Sequence, residues 1–479
     1  MAAANATAAA NATAAAPELF IRDSEFSGTF GVARADITPP AGIYARCWGS
    51  STHDIATGVH KPLLATCAVF ADADGRNALA LLALDLSWWS SKQDELELRS
   101  AILEGSGLRE HELMFHPSHT HSAPRTALEF VNRPGGHLIP QYREQIKATC
   151  ISLIAAARQR LEPATLTWRA GHCSLAFNRD LESPNDGRML CGLNPAVEAD
   201  DTLLIGRAVN AAGKVLGTFV NYACHPISLG GGNTLVSPDY VGSLRETVEA
   251  GTEAGECVFL HGASGNQTPR RSFESDARFA DQNGREIGYS ALSVLASMFP
   301  PRVALQFSGV EESGTPLAIW KEQSRPTRTR IESRRVTVRL TIADMPSREE
   351  LQAAIANATE DYMVERLTRR LLQRESVGDG LEGISPFWYG NWAIHLSWVR
   401  PPKCTPPSSR SCAADSPPTA SRCSISSMAT RAISPRARTM PRGRIPPGLP
   451  SMKRVPWRSF SAQPIGPSAT CWRRVRHRF

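Results

Sequence analysis

The 479-residue sequence has no uninterrupted apolar run approaching the roughly 18–20 residues that a membrane-crossing helix needs, so a spanning segment is not expected. Its opening, MAAANATAAANATAAAPELF, has neither the basic start nor the leucine-rich centre of a secretory signal, which makes the cytoplasm the default compartment. None of the eleven cysteines forms a C-x-x-C pair, and four of them (Cys404, Cys412, Cys423, Cys471) lie beyond residue 398. The odd remainder of seven argues against both a disulfide framework and a zinc ribbon. Acid is almost missing from the C-terminus. Residues 398–479 hold sixteen Lys and Arg, fourteen Pro, no Glu and one Asp, Asp415. That segment carries +15 of a total of +7, which leaves −8 on residues 1–397. An acidic body argues against nucleic-acid binding there, because phosphate contacts need clustered basic side chains.

What remains is a long, apolar-rich body with no internal repeat. Residues 1–27 read as a low-complexity, disordered extension, 28–397 as one large catalytic domain, and 398–479 as a disordered tail. LLATCAVFADADGRNALALLALDLSWW predicts two strands joined at Asp74–Gly75, the second buried on both faces. Helices are expected near 92–104, 141–161 and 281–298, and a single long one over 347–375 opening on a capping box at Ser347 and Glu350. Strands are expected into PSHTHSAP, into NYACHPISLGGGN and into HGASGNQTPR. The fold class is mixed α/β: packed mixed sheets flanked by helices. Functional groups concentrate on loops that a rigid scaffold holds at strand ends, and these three loops are of that kind.

FHPSHTHSAP (115–124) places three of the twelve histidines within six positions. In an extended segment residues two apart point the same way, so His119 and His121 are expected to face one pocket. Two imidazoles at that spacing, with a distant third in His225, suit a divalent metal such as zinc. A catalytic role for the pair is the other option. His116, His53, His60 and His172 read as structural, and His261, beside the third loop, as a core histidine or else a residue supporting the metal ligands.

GVARADITPPAG, TGVHKPLLATCAVF, LALLALDLSWW, SHTHSAP, NYACHP with NTLVSPDYVG, and FLHGASGNQTP, in that order, resemble the neutral/alkaline (non-lysosomal) ceramidase family over about 31–300, and more loosely to about 390. The resemblance implies zinc held by His119 and His225, with His121 beside it as the catalytic histidine. It implies a substrate contact at Arg179, from the Asn-Arg pair of AFNRD. The implied reaction is hydrolysis of a lipid or small-molecule amide. The family loop Gly-Asp-x-Ser-Pro is here Gly265-Asn266-Gln267-Thr268-Pro269. Thr268 keeps a hydroxyl at the catalytic serine position, and Asn266 replaces a carboxylate at a substrate-binding position. That departure opens the alternative of another amide or ester. The family's members are often secreted or membrane-associated, and nothing in the sequence fixes an oligomeric state.

The tail admits two readings. One is a basic arm with affinity for nucleic acid or anionic lipid, attached to a catalytically dead binding protein. The other is translation out of frame. Codons begun at the third base of each residue permit HAAELQIL over 405–412, Gly-Glu-Pro within 419–423, and DGNAGYLPTGEDYAEG over 427–443. By resemblance the family's remaining zinc ligands are a Glu in a Gly-Glu-Pro context and a Tyr in a Gly-Tyr-Leu-Pro segment. A shift of frame between about 376 and 400 is therefore expected, and with it a chain lacking two metal ligands.

Overall fold

The computed structural model describes residues 19–399, apart from 90, 91, 253, 254, 343, 344, 381 and 392–394. The low-complexity stretch through residue 18 and the tail from residue 400 lie outside the described residues. All described residues fall within one compact unit. The body starts earlier than the expected boundary at residue 28. Phe20–Ile21 is a short strand, and β1 spans Ser24–Asp36. The reason is local: from Phe26 onward every second residue (Phe26, Gly28, Phe30, Val32) is buried, the period of a strand with one face in a core.

Seven further strands complete one sheet: β2 Leu64–Ala71, β3 Ala78–Leu84, β4 Leu113–Pro117, β5 Glu162–His172, β6 Thr202–Asn210, β7 Val215–Tyr222 and β8 Glu256–His261. Their order is β8-β7-β6-β5-β1-β2-β3-β4. The five inner ladders are antiparallel, and the two outermost, β3/β4 and β7/β8, are parallel. The expected hairpin at Asp74–Gly75 is β2/β3, with Gly75 at φ +69° in the turn.

The sheet curls until its edges face each other. Met114 of edge strand β4 and Val258 and Leu260 of edge strand β8 share one inner core with Phe30, Phe70, Trp168 and Phe219. The His261 N–H reaches His116 Nδ1 at 3.3 Å, across the gap between the two edges. Because that contact joins the C-terminal ends of β4 and β8, the C-termini of both parallel pairs lie at one mouth of the curled sheet.

The outer face is covered in two halves. Helices α1 (Lys92–Ser106) and α2 (Ile139–Gln159) cover β1–β4, where Ala80, Leu82 and Leu84 point outward while Leu79, Leu81 and Ala83 point in. This is why β3 is an unbroken apolar run. Helices α3 (Tyr240–Thr252) and α4 (Arg278–Ser297) cover β6–β8 through Val241, Leu244, Ile287 and Ala291. The two helices approach closely at Gly284, where an added Cβ would stand 2.3 Å from the Tyr240 carbonyl oxygen. The single helix expected over 347–375 is in fact two, α5 (Arg348–Ala356) and α6 (Asp361–Val377). The break falls after Asn357, which caps α5 with both its backbone N–H and its side-chain amide donating to the Ala353 carbonyl.

Candidate metal centre

Three loops leave the mouth of the sheet, each at the end of a strand whose register the core fixes. After β4, Ser118 N–H donates to the Leu84 carbonyl at 2.8 Å and His119 N–H to the Leu86 carbonyl at 2.9 Å, so the chain continues β3/β4 pairing past the strand. His119 then turns into the left-handed region, φ +69°. The segment is thus not extended, as the spacing argument assumed. A turn, rather than strand alternation, brings the rings of His119 and His121 to 5.3 Å.

The second loop, after β7, is clamped to the first. His121 N–H donates to the Pro226 carbonyl, Ser237 N–H to the Ser122 carbonyl, and the Thr120 hydroxyl to the Ser237 carbonyl. Asp239 holds this loop from the other side. Its carboxylate accepts from Ser228 N–H at 3.2 Å, Leu229 N–H at 3.0 Å and Tyr240 N–H at 2.7 Å. The result places His225 4.7 Å from His119 and 5.5 Å from His121, ring centre to ring centre. One ligand nitrogen from each of the three lies within 4.8 Å of the others. Among the described residues no carboxylate or thiolate joins that group.

The donor set fits a metal ion. His225 is 7% exposed. Burial, reinforced by the charge of Arg179 and by His121 and His261, holds its pKa well below the usual value, so the ring is neutral, the form that ligates a metal. Its Nδ1 lies 2.8 Å from the Ser264 carbonyl. A carbonyl only accepts, so Nδ1 carries the proton and Nε2 keeps a lone pair for the cluster.

The third loop, after β8, holds Asn266 and Thr268, and Arg179 reaches it from the segment between β5 and β6. Arg179 donates from its backbone N–H to the Asn266 carbonyl at 2.9 Å and from Nε to the Gly265 carbonyl at 3.0 Å, so Arg179 and Asn266 are tied together beside the histidines. The Asn266 residue is exposed. Thr268 pairs with Phe177 in a short ladder and is fully buried, its hydroxyl without a hydrogen-bond partner. His116 is buried and His261 partly so, and desolvation lowers their pKa values to about 4 and about 3. His60 bonds to Ser237 and Asp281, and His172 to Asp201, outside the cluster.

Four groups around the cluster were not singled out in the sequence. Trp48 and Trp88 each stand 4.8 Å from the His121 ring, and Arg125 stacks on Trp88 at 4.6 Å. Asp239 is the fourth. Asp239 and Trp88 carried a signal, as parts of the NTLVSPDYVG and LALLALDLSWW segments; Trp48 comes from a distant loop.

A curled mixed sheet with a histidine cluster at the C-terminal ends of its parallel strands defines an α/β protein with a candidate metal centre. A family profile described as neutral/alkaline non-lysosomal ceramidase, N-terminal, matches residues 29–268, and the chain belongs to that family. A solved neutral ceramidase from Pseudomonas aeruginosa is 16% identical to it, with a TM-score of 0.51, over 79% of this chain and 62% of that one. A ceramidase complexed with C2 is 18% identical, with a TM-score of 0.47, over 66% of this chain and 47% of that one. The chain thus spans less than two thirds of the length of either.

Proposed function

We propose that the chain is a zinc-dependent hydrolase of N-acyl amides, with N-acyl sphingoid bases as the first candidate substrates. The observation that carries this is the convergence of His119, His121 and His225 within 4.8 Å in a chain of this family. In this reading His119 and His225 hold the metal. Zinc at this position supplies Lewis acidity toward the amide carbonyl and lowers the pKa of a neighbouring water toward neutrality. His121 hydrogen-bonds the carbonyl oxygen as charge develops or shuttles a proton from the attacking water to the leaving nitrogen. Asn266 of the third loop and Arg179, bonded to it, orient the substrate, while the expected catalytic hydroxyl of Thr268 is fully buried and supports that loop instead of touching the substrate. A second reading, hydrolysis of a different small amide or ester, is favoured by Asn266, which puts an amide where the family loop carries a carboxylate. Turnover of N-acyl sphingosines against short acyl amides divides the two.

Two histidines, with a third nearby, grip zinc less firmly than the three or four protein ligands of established sites. We further propose that the sequence beyond about residue 398 is out of frame and that the restored frame supplies the missing ligands. The test compares the 479-residue chain with one in the restored frame. Zinc content after dialysis and amide turnover are measured on both. The restored chain is expected to hold one zinc and to lose turnover with chelator and with His119→Ala, while the chain as written holds little zinc and turns over negligibly. Equal zinc and equal turnover in the two chains would overturn the frame argument. No zinc and no turnover in either would overturn the enzyme reading.

A further inference from the structure

Strands β7 and β8 are parallel neighbours with Tyr222 and His261 in register. The residues three positions beyond each, His225 and Ser264, therefore leave the sheet side by side. His225 Nδ1 lies 2.8 Å from the Ser264 carbonyl oxygen and 2.9 Å from the Ser264 hydroxyl. The same hydroxyl lies 2.7 Å from His261 Nε2. His261 is in turn fixed twice: its backbone N–H donates to His116 Nδ1, and its ring stacks on His119 at 5.3 Å and 7°. Ser264 is 4% exposed, so water does not compete for these bonds.

Donor and acceptor balance assigns the protons. The His225 Nδ1–H is shared between the two Ser264 oxygens. The Ser264 O–H is then left to donate to His261 Nε2, which makes His261 an Nδ1–H tautomer as well. Metal-binding imidazoles are generally oriented by what their second nitrogen holds, and loss of that partner typically costs about 10–100-fold in metal affinity.

We propose that Ser264, braced by His261, is a positioning residue for His225 as a metal ligand: its carbonyl sets the tautomer and its hydroxyl holds the orientation of the ring. This rests on the metal-binding reading above. The arrangement also explains why the third loop carries His-x-x-Ser: the histidine ends β8 and the serine reaches sideways to the neighbouring loop.

The test uses the full chain with ¹⁵N-labelled histidine and Co²⁺ as the probe ion, read by its visible absorption. Ser264→Ala is expected to weaken Co²⁺ binding about 10–100-fold. Ser264→Thr, which keeps the hydroxyl, is expected to bind as the unmutated chain does. In the metal-free protein the His225 ring should be an Nδ1–H tautomer with sharp ring ¹⁵N signals; Ser264→Ala keeps the backbone carbonyl and hence the tautomer, and is expected to broaden those signals as the ring loses its second anchor. His261→Gln, with its thermal melt as a folding control, replaces Ser264→Ala if that variant does not fold, and should likewise weaken Co²⁺ binding and broaden the His225 ring signals. Unchanged Co²⁺ affinity in the folded variant overturns the proposal. If the unmutated chain binds no Co²⁺, the metal reading of the function is decided on the restored-frame chain, and the ring spectra decide this proposal alone. Broadened ring signals in the variant uphold the positioning, and unchanged sharp signals overturn it.

Discussion

His119 sits at φ +69°, where a Cβ crowds the following carbonyl and L-residues other than glycine cost roughly 1–2 kcal/mol. The site holds this residue there through its N–H bond to the Leu86 carbonyl and the contacts of its ring. Both His119→Gly and His119→Ala remove the ring, and they differ only in the backbone. The usual preference for Ala over Gly should therefore reverse: His119→Gly is expected to be the more stable by about 1 kcal/mol in urea unfolding. A more stable Ala variant would mean that the turn relaxes once the ring is gone. His116 gives a second residue-scale test. Burial lowers its folded pKa to about 4, against an ordinary 6.5. The unfolded chain thus binds the extra proton between pH 6.5 and 4. The stability is present in full above about pH 6.5 and is lost as pH falls toward about 4, by about 1.4 kcal/mol per pH unit from this group. His116→Gln should flatten the stability curve over that window by that slope. An unchanged curve would show that the ring does not remain neutral in the fold.

At the scale of elements, the sequence periodicities placed most boundaries to within a few residues, and the exceptions have causes. The break at Asn357 between α5 and α6 lay inside a pattern whose helical period runs through it. The capping box was legible: the Ser347 hydroxyl accepts from Glu350 N–H at 3.1 Å, and the Glu350 carboxylate accepts from Ser347 N–H at 2.8 Å. Ser347→Ala is expected to cost about 1 kcal/mol. Because α6 is a separate helix, that loss should appear as faster amide exchange in α5 and leave α6 protected. Equal loosening of both would show them to be one cooperative unit.

For the whole molecule, the curl of the sheet is what assembles the site, and it is pinned by a buried ion pair. Asp85, just past β3, meets Arg245 of α3 with Oδ1 3.0 Å from Nη1 and Oδ2 2.6 Å from Nη2. The two side chains are 2% and 7% exposed. The pair thus ties the β1–β4 half to the helix that covers β6–β8. Removing one partner strands a buried charge, so Asp85→Ala is expected to cost about 3–5 kcal/mol by denaturant unfolding. Arg245→Met added to Asp85→Leu should recover most of that loss. If the double variant is as unstable as the single, the pair contributes through specific geometry rather than through an uncompensated charge.

The sequence by itself determined the mixed α/β class, the strands that end in the three loops and the choice of His119, His121 and His225, because hydrophobic period and residue type are local properties of the chain. It left His261 between the core and a supporting place behind the ligands, and did not single out Ser264, Trp48, Trp88 or Arg125. Their roles depend on which strand ends lie side by side, and only the curl of the eight-stranded sheet settles that. The pairing of His119 with His121 was anticipated by alternation yet is made by a left-handed turn. The neutral state of His225 likewise comes from burial and from the nearby charge of Arg179, which no spacing in the sequence encodes.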